Sequence, residues 1–109
     1  MRLGDLIVDF SARRCALHGV EIPLSAKAFD LLAVLAERIG EAVPRETLMA
    51  EVWDENWFGP TKTVDVTMAG LRRRLTEAAQ AGDGPVRLPE ITTLRGHGYR
   101  LERQPDPVD

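Results

Sequence analysis

Chemistry-bearing residues are scarce in this sequence. It has one cysteine, Cys15, and two histidines, His18 and His97. A lone thiol excludes an intramolecular disulfide, and the three residues together fall short of the four ligands that a structural zinc needs. No metal and no other cofactor is expected. Cys15 and His18 lie three apart in what reads as a strand and its turn, so they would not share a face. No other nucleophile–base pair stands out, and the chain is not expected to be an enzyme. Long apolar runs are also missing. The longest, Leu31 to Ala36, is far too short to span a bilayer. Asp5 and Asp9 stand where a signal peptide would need apolar residues, so the expected location is the cytoplasm, away from any membrane.

What is present suits a globular domain. A chain of 109 residues, 44% hydrophobic and 28% charged, can bury one core and needs no second domain. The net charge of −3 argues against a nucleic-acid partner until its distribution is considered. Residues 1–60 hold six Lys and Arg against ten Asp and Glu, whereas residues 61–103 hold eight against five. Positive charge is thus concentrated in residues 61–103.

In chain order, Leu6–Phe10, Arg14–His18 and Val20–Leu24 are short β-rich runs, bounded by polar or glycine residues, that only an antiparallel meander can pair. Arg13 and Arg14 mark the first turn, and His18 and Gly19 the second. Ser25 reads as a helix N-cap. Phe29, Leu32, Ala33, Ala36 and Ile39 then share one helical face, widened by Leu31, Val34 and Leu35, and Gly40 supplies the stop. A second short helix is expected over Arg45–Trp53, with Val43 stapled onto Leu48 and Trp53 in the core. Residues 54–60 form a loop. After the third helix, residues 81–85 connect to two strands, Ile91–Arg95 and Tyr99–Glu102, joined by Gly96-His97-Gly98 as a hairpin with glycines at positive φ. Residues 104–109 are a polar, proline-bearing tail beyond a domain of residues 1–103.

The third helix, Thr61–Gln80, organises the rest. Val64, Met68, Leu71 and Leu75 form one apolar stripe at steps of four, three and four. At about 100° per residue, Lys62, Val66, Ala69 and Arg73 fall on the opposite side. Such a helix is either a solvated amphipathic element or a reading head for a nucleic-acid groove. The order of strands, three helices and a hairpin with Arg95 at its tip favours the second reading. His97, at the same tip, would approach a phosphate or simply be solvated.

Four motifs, in this order, carry a resemblance that covers about Leu3 to Glu102. They are L-S-x-x-x-F-x-L-L at residues 24–32, V-P-R-E-T-L-M-A-E-V-W at 43–53, T-K-T-V-D-V-T-x-x-x-L-R-R-R-L at 61–75 and I-T-T-L-R-G-H-G-Y-R-L at 91–101. Together they resemble the OmpR/PhoB-type winged-helix effector domains of bacterial response regulators. The resemblance implies an α+β fold: a four-stranded N-terminal antiparallel sheet, a three-helix bundle with a helix-turn-helix, and a C-terminal β-hairpin wing. It implies binding to double-stranded promoter DNA for transcription regulation in two-component systems, often as two copies head-to-tail on direct repeats. The family's groove-facing positions fall on Lys62, Thr63, Thr67, Ala69, Gly70 and Arg73, with Thr93 and Arg95 in and near the wing; Val66, Arg74 and His97, beside them, are further expected DNA contacts. The loop carrying Asp54, Glu55, Asn56, Trp57 and Phe58 matches one that can touch RNA polymerase in such proteins; on the residues alone, Trp57 and Phe58 either cap the core or form a contact surface.

Two departures stand out. Family members commonly have basic residues at the positions of Ala69 and Gly70, which leaves open a winged-helix protein-interaction module with weak or lost DNA binding. At 109 residues there is also no room for a receiver domain, so the chain is expected to be an effector domain alone, excised or free-standing.

Overall fold

The computed structural model describes residues 1–53, 61–82 and 84–103. Ten elements follow in order: β1 (Arg2–Leu3), β2 (Leu6–Asp9), β3 (Arg14–Leu17), β4 (Val20–Glu21), α1 (Ala26–Glu37), β5 (Val43–Pro44), α2 (Arg45–Val52), α3 (Lys62–Ala81), β6 (Ile91–Leu94) and β7 (Gly98–Leu101). The expected α+β winged helix-turn-helix is present: a four-stranded sheet β1-β2-β3-β4, three helices, and a second sheet built around the C-terminal hairpin.

Alternation sets the first sheet. Leu6 and Val8 face inward opposite Leu17 and Cys15, while Ile7 and Asp9 face out. Arg13 and His18 adopt left-handed φ values of 56° and 49° at the two turns. The third run is shorter than its pattern, since only Val20–Glu21 is strand. Ile22 nevertheless stays buried and donates its amide to the Cys15 carbonyl. The two-residue β1 completes the sheet by pairing with β2.

Ser25 caps α1, its hydroxyl accepting from the amide of Ala28 at 3.1 Å. Leu31, Leu32 and Leu35 are completely buried, so α1 is the central helix, packed on α2, α3 and β7. Truncating any of these leucines to alanine would cost about 2–5 kcal/mol through lost burial and the cavity left behind. The helix stops at Glu37, before the expected Gly40. Gly40 instead turns the chain at φ 83° and donates its amide to the Leu101 carbonyl.

Two corrections concern the second sheet. It has three strands in the order β5-β7-β6, because Val43–Pro44 pairs with Tyr99 and Gly98. Val43 commits its backbone to that strand, while its side chain and that of Leu48 are both fully buried. Of the two hairpin glycines only Gly96 has a positive φ, 73°. Gly98 is needed for another reason: a Cβ there would sit 2.0 Å from the Val43 carbonyl oxygen. Trp53 is half-buried against the core, with the Lys27 ammonium 5.7 Å from its ring centre. Among the described residues, no helix is long and apolar enough to cross a membrane.

Candidate nucleic-acid interface

The stripe on α3 is buried as its spacing requires, with Val64, Met68, Leu71 and Leu75 each at most 4% exposed. Turning that face inward forces Lys62, Val66, Ala69 and Arg73 outward, and all four are exposed. Lys62 and Arg73 lie three turns apart, roughly 16 Å along the axis. Between them Val66 is 63% exposed, an unusual position for a β-branched apolar side chain. Among the described residues no ion pair engages Lys62, Arg73 or Arg95.

The other expected contacts divide by flank. Thr63 is exposed at the N-terminal end of α3, and Thr67 and Gly70 are half-buried. Thr67, Gly70, Arg73 and Arg74 border a recess against Ser25 and Ala28 at the start of α1. Arg74 is 3.9 Å from Glu77, one turn on, so part of its charge is already met within the helix. In the second sheet Thr93 is exposed on β6, and Arg95, Gly96 and His97 form the exposed turn. Asp54, Glu55, Asn56, Trp57 and Phe58 lie outside the described residues.

Sequence reasoning missed the side chains that join the wing to α3. Asp65 lies beside the buried stripe in the first turn of α3. Its Oδ1 accepts from Arg45 Nε at 2.9 Å and also from the hydroxyl of Tyr99. The Arg45 and Arg72 guanidiniums lie 5.1 Å and 5.3 Å from the Tyr99 ring centre, and Arg72 Nη2 donates to the Ile91 carbonyl. Burial disfavours ionisation of Asp65, but hydrogen bonds from Tyr99 and Arg45 outweigh it and hold the carboxyl below its ordinary range. Burial, then the Asp65 hydrogen bond, pushes the Tyr99 hydroxyl up. The pair thus stays as anionic acceptor and neutral donor. The only hint in the sequence is Asp65 itself, an acid wedged between Val64 and Val66.

Cys15 is buried, and burial with the nearby Glu21 charge raises its thiol to about 11, leaving it protonated and inert. No group of three or more His, Cys, Asp or Glu among the described residues is placed to hold a metal ion.

A family model described as "Transcriptional regulatory protein, C terminal" matches residues 19–101, most of the chain. The chain belongs to this family. Its relatives are transcription regulators. The transcriptional regulatory protein PrrA of Mycobacterium tuberculosis is 41% identical over 102 residues, and the transcriptional activator protein IrlR of Burkholderia pseudomallei 37% over 103. Each alignment covers 94% of this chain, which spans only 41% and 42% of those proteins. Among solved structures, the DNA-binding domain of CpxR from E. coli superposes with a TM-score of 0.77 at 27% identity, covering 94% of this chain and 95% of that one. The Klebsiella pneumoniae RstA DNA-binding domain, solved in complex with the RstA box, gives 0.76 at 28% identity with the same coverage. The domain is a winged-helix output domain of the response-regulator type.

Proposed function

We propose that this domain binds double-stranded promoter DNA by laying the exposed face of α3 in the major groove and reaching the adjoining minor groove with the wing turn. The observation that carries this reading is the outward face of α3, where Lys62 and Arg73 frame Val66 and Ala69. Cations at the ends of such a face neutralise phosphates or reach base edges. The apolar centre suits contact with thymine methyl groups, since Ala69 and Gly70 offer no hydrogen-bonding side chain. Thr63 and Thr67 add hydroxyls near the N-terminal end, and Arg74 a cation shared with Glu77. Arg95 at a glycine turn suits a narrow minor groove, whose negative potential favours arginine, with Thr93 and His97 beside it.

A gel-shift titration at two salt concentrations tests this. Affinity should fall steeply as salt rises, because each neutralised phosphate releases counterions. Lys62→Ala and Arg73→Ala should each cost about 1–3 kcal/mol with relaxed selectivity if the side chain reads a base. If it touches only phosphate, the loss should be uniform across sequences and the salt slope should shrink by about one. Unchanged affinity in both variants removes α3 as the reading head. Binding that ignores salt would favour the interaction-module reading, which the acidic total and the small residues at 69 and 70 support.

Pairing of two copies head-to-tail on direct repeats, and polymerase contact through residues 54–58, belong to the same proposal. Aromatic Trp57 and Phe58 beside acidic Asp54 and Glu55 are the mixture of a protein contact. Glu55→Ala should leave promoter affinity intact and lower transcription from a reconstituted promoter. If neither quantity changes, the loop is only a connector.

A further inference from the structure

We infer that Asp65 is a positioning residue, fixing the wing against α3 so that the Arg95 turn and the cations of α3 engage one duplex together. This rests on the reading of α3 and the wing as the DNA-contacting pair. Ladder hydrogen bonds hold β7 between β5 and β6 within the sheet, and burial of Ile91, Tyr99 and Leu101 in the core shared with α3 is non-directional, so directional contacts to α3 set the finer angle. Among the described residues, the side-chain hydrogen bonds that cross from α3 to that sheet are two. Near the helix start, Asp65 Oδ1 accepts from the Tyr99 hydroxyl. Two turns later, Arg72 Nη2 donates to the Ile91 carbonyl. Two attachments separated along the helix axis define an orientation, whereas one would leave a pivot.

Asp65 is the more demanding of the two, because one oxygen serves donors from two other elements, Arg45 of α2 and Tyr99 of β7. An acid in the first turn of a helix is also expected simply to favour the local dipole. That role needs no partner on the wing. Here the Tyr99 hydroxyl belongs to a residue only 3% exposed, and without the carboxylate it would be left with no acceptor among the contacts described. Strand β7 begins at Gly98, directly before Tyr99, and the turn of Arg95, Gly96 and His97 leads straight into it, the His97 carbonyl accepting from the Arg45 amide. A change in the seating of Tyr99 is therefore passed along a few residues to the arginine at the tip.

The test is a double-mutant cycle on this chain, using a duplex recovered by selection from random-sequence DNA with the wild-type protein. Arg95→Ala should weaken binding of the wild type about ten-fold or more, the range of a lost groove contact. In an Asp65→Ala background the same substitution should cost no more than about two-fold, because the arginine is no longer presented in register. Tyr99→Phe keeps the ring and removes only the hydroxyl, so it carries the comparison if Asp65→Ala does not fold, as judged by its far-ultraviolet spectrum and melting. Equal fold-losses from Arg95→Ala in all backgrounds would show that Asp65 acts on stability alone and would overturn the inference. If Arg95→Ala has no effect even in the wild type, the wing reading itself fails, and the inference with it.

Discussion

Adding a methyl group to Gly70 and to Gly98 should produce opposite outcomes. At Gly70, in the middle of α3, a Cβ would meet nothing within 4 Å. Glycine there costs helix stability through its backbone freedom, so Gly70→Ala should raise unfolding stability by about 0.5–1 kcal/mol. Its effect on DNA affinity then reports whether the duplex backbone comes close at that point. At Gly98 the Cβ would strike the carbonyl oxygen of Val43 at 2.0 Å and the Cα of Pro44 at 2.8 Å. Both are backbone atoms and cannot rotate away. Gly98→Ala should lower stability by about 1–3 kcal/mol, the cost of overpacking, because β5 must shift. Urea unfolding of the two variants measures both. Equal midpoints would mean that β5 does not lie against β7 as described.

At the scale of elements, the long helices were legible from their period, and the start of α1 also from its cap. The Ser25 hydroxyl accepts from the Ala28 amide, as an N-cap should. Ser25→Ala should therefore cost about 1 kcal/mol in a thermal or urea unfolding measurement. The stripe at Val64, Met68, Leu71 and Leu75 by its spacing alone turns Lys62, Val66, Ala69 and Arg73 to the outer face. Two-residue strands were not readable, because Arg2–Leu3 and Val43–Pro44 are too short to show an alternation. Proline at the second position of β5 disguised it further. The junction between wing and helix was illegible for a different reason. Arg45, Asp65, Arg72 and Tyr99 are scattered along the chain, and only the tertiary fold brings them to one ring and one carboxylate.

At the scale of the whole molecule, carboxylates tie distant segments together, and this sets the acid response. Asp5 accepts from the Arg87 amide, joining the first sheet to the segment after α3. Asp9 accepts from the Ala12 amide and the Ser11 hydroxyl at a turn. Glu102 accepts from Thr92 across the second sheet and from Arg100 two residues before it. These bonds hold all three carboxyls below their ordinary range, as Asp65 is held by Tyr99 and Arg45 against the opposing effect of burial. A lowered folded pKa means that the stabilisation is complete above the unfolded value, roughly 4, and is lost as pH falls through the folded one. Urea midpoints should be level from about pH 6 to 8 and drop below about pH 4. Asp65→Asn should lose less on acidification than the wild type. A midpoint that holds steady well below the ordinary carboxylate range would show that these bonds do not favour the charged forms.

The pairing of Val43 with Tyr99 has a consequence for how the chain is made. The second sheet draws one strand from the middle of the domain and two from its end. Emerging from a ribosome, the first sheet and α1 can assemble early, since their pairings are local. β5 must wait with an unsatisfied backbone edge until β7 has cleared the exit tunnel. A nascent chain stalled before Ile91 would lack Ile91, Tyr99 and Leu101, leaving the core they cover exposed, and transiently exposed apolar surface is aggregation-prone. Stalled or truncated forms of this domain should therefore depend on chaperones to a degree that the finished domain does not.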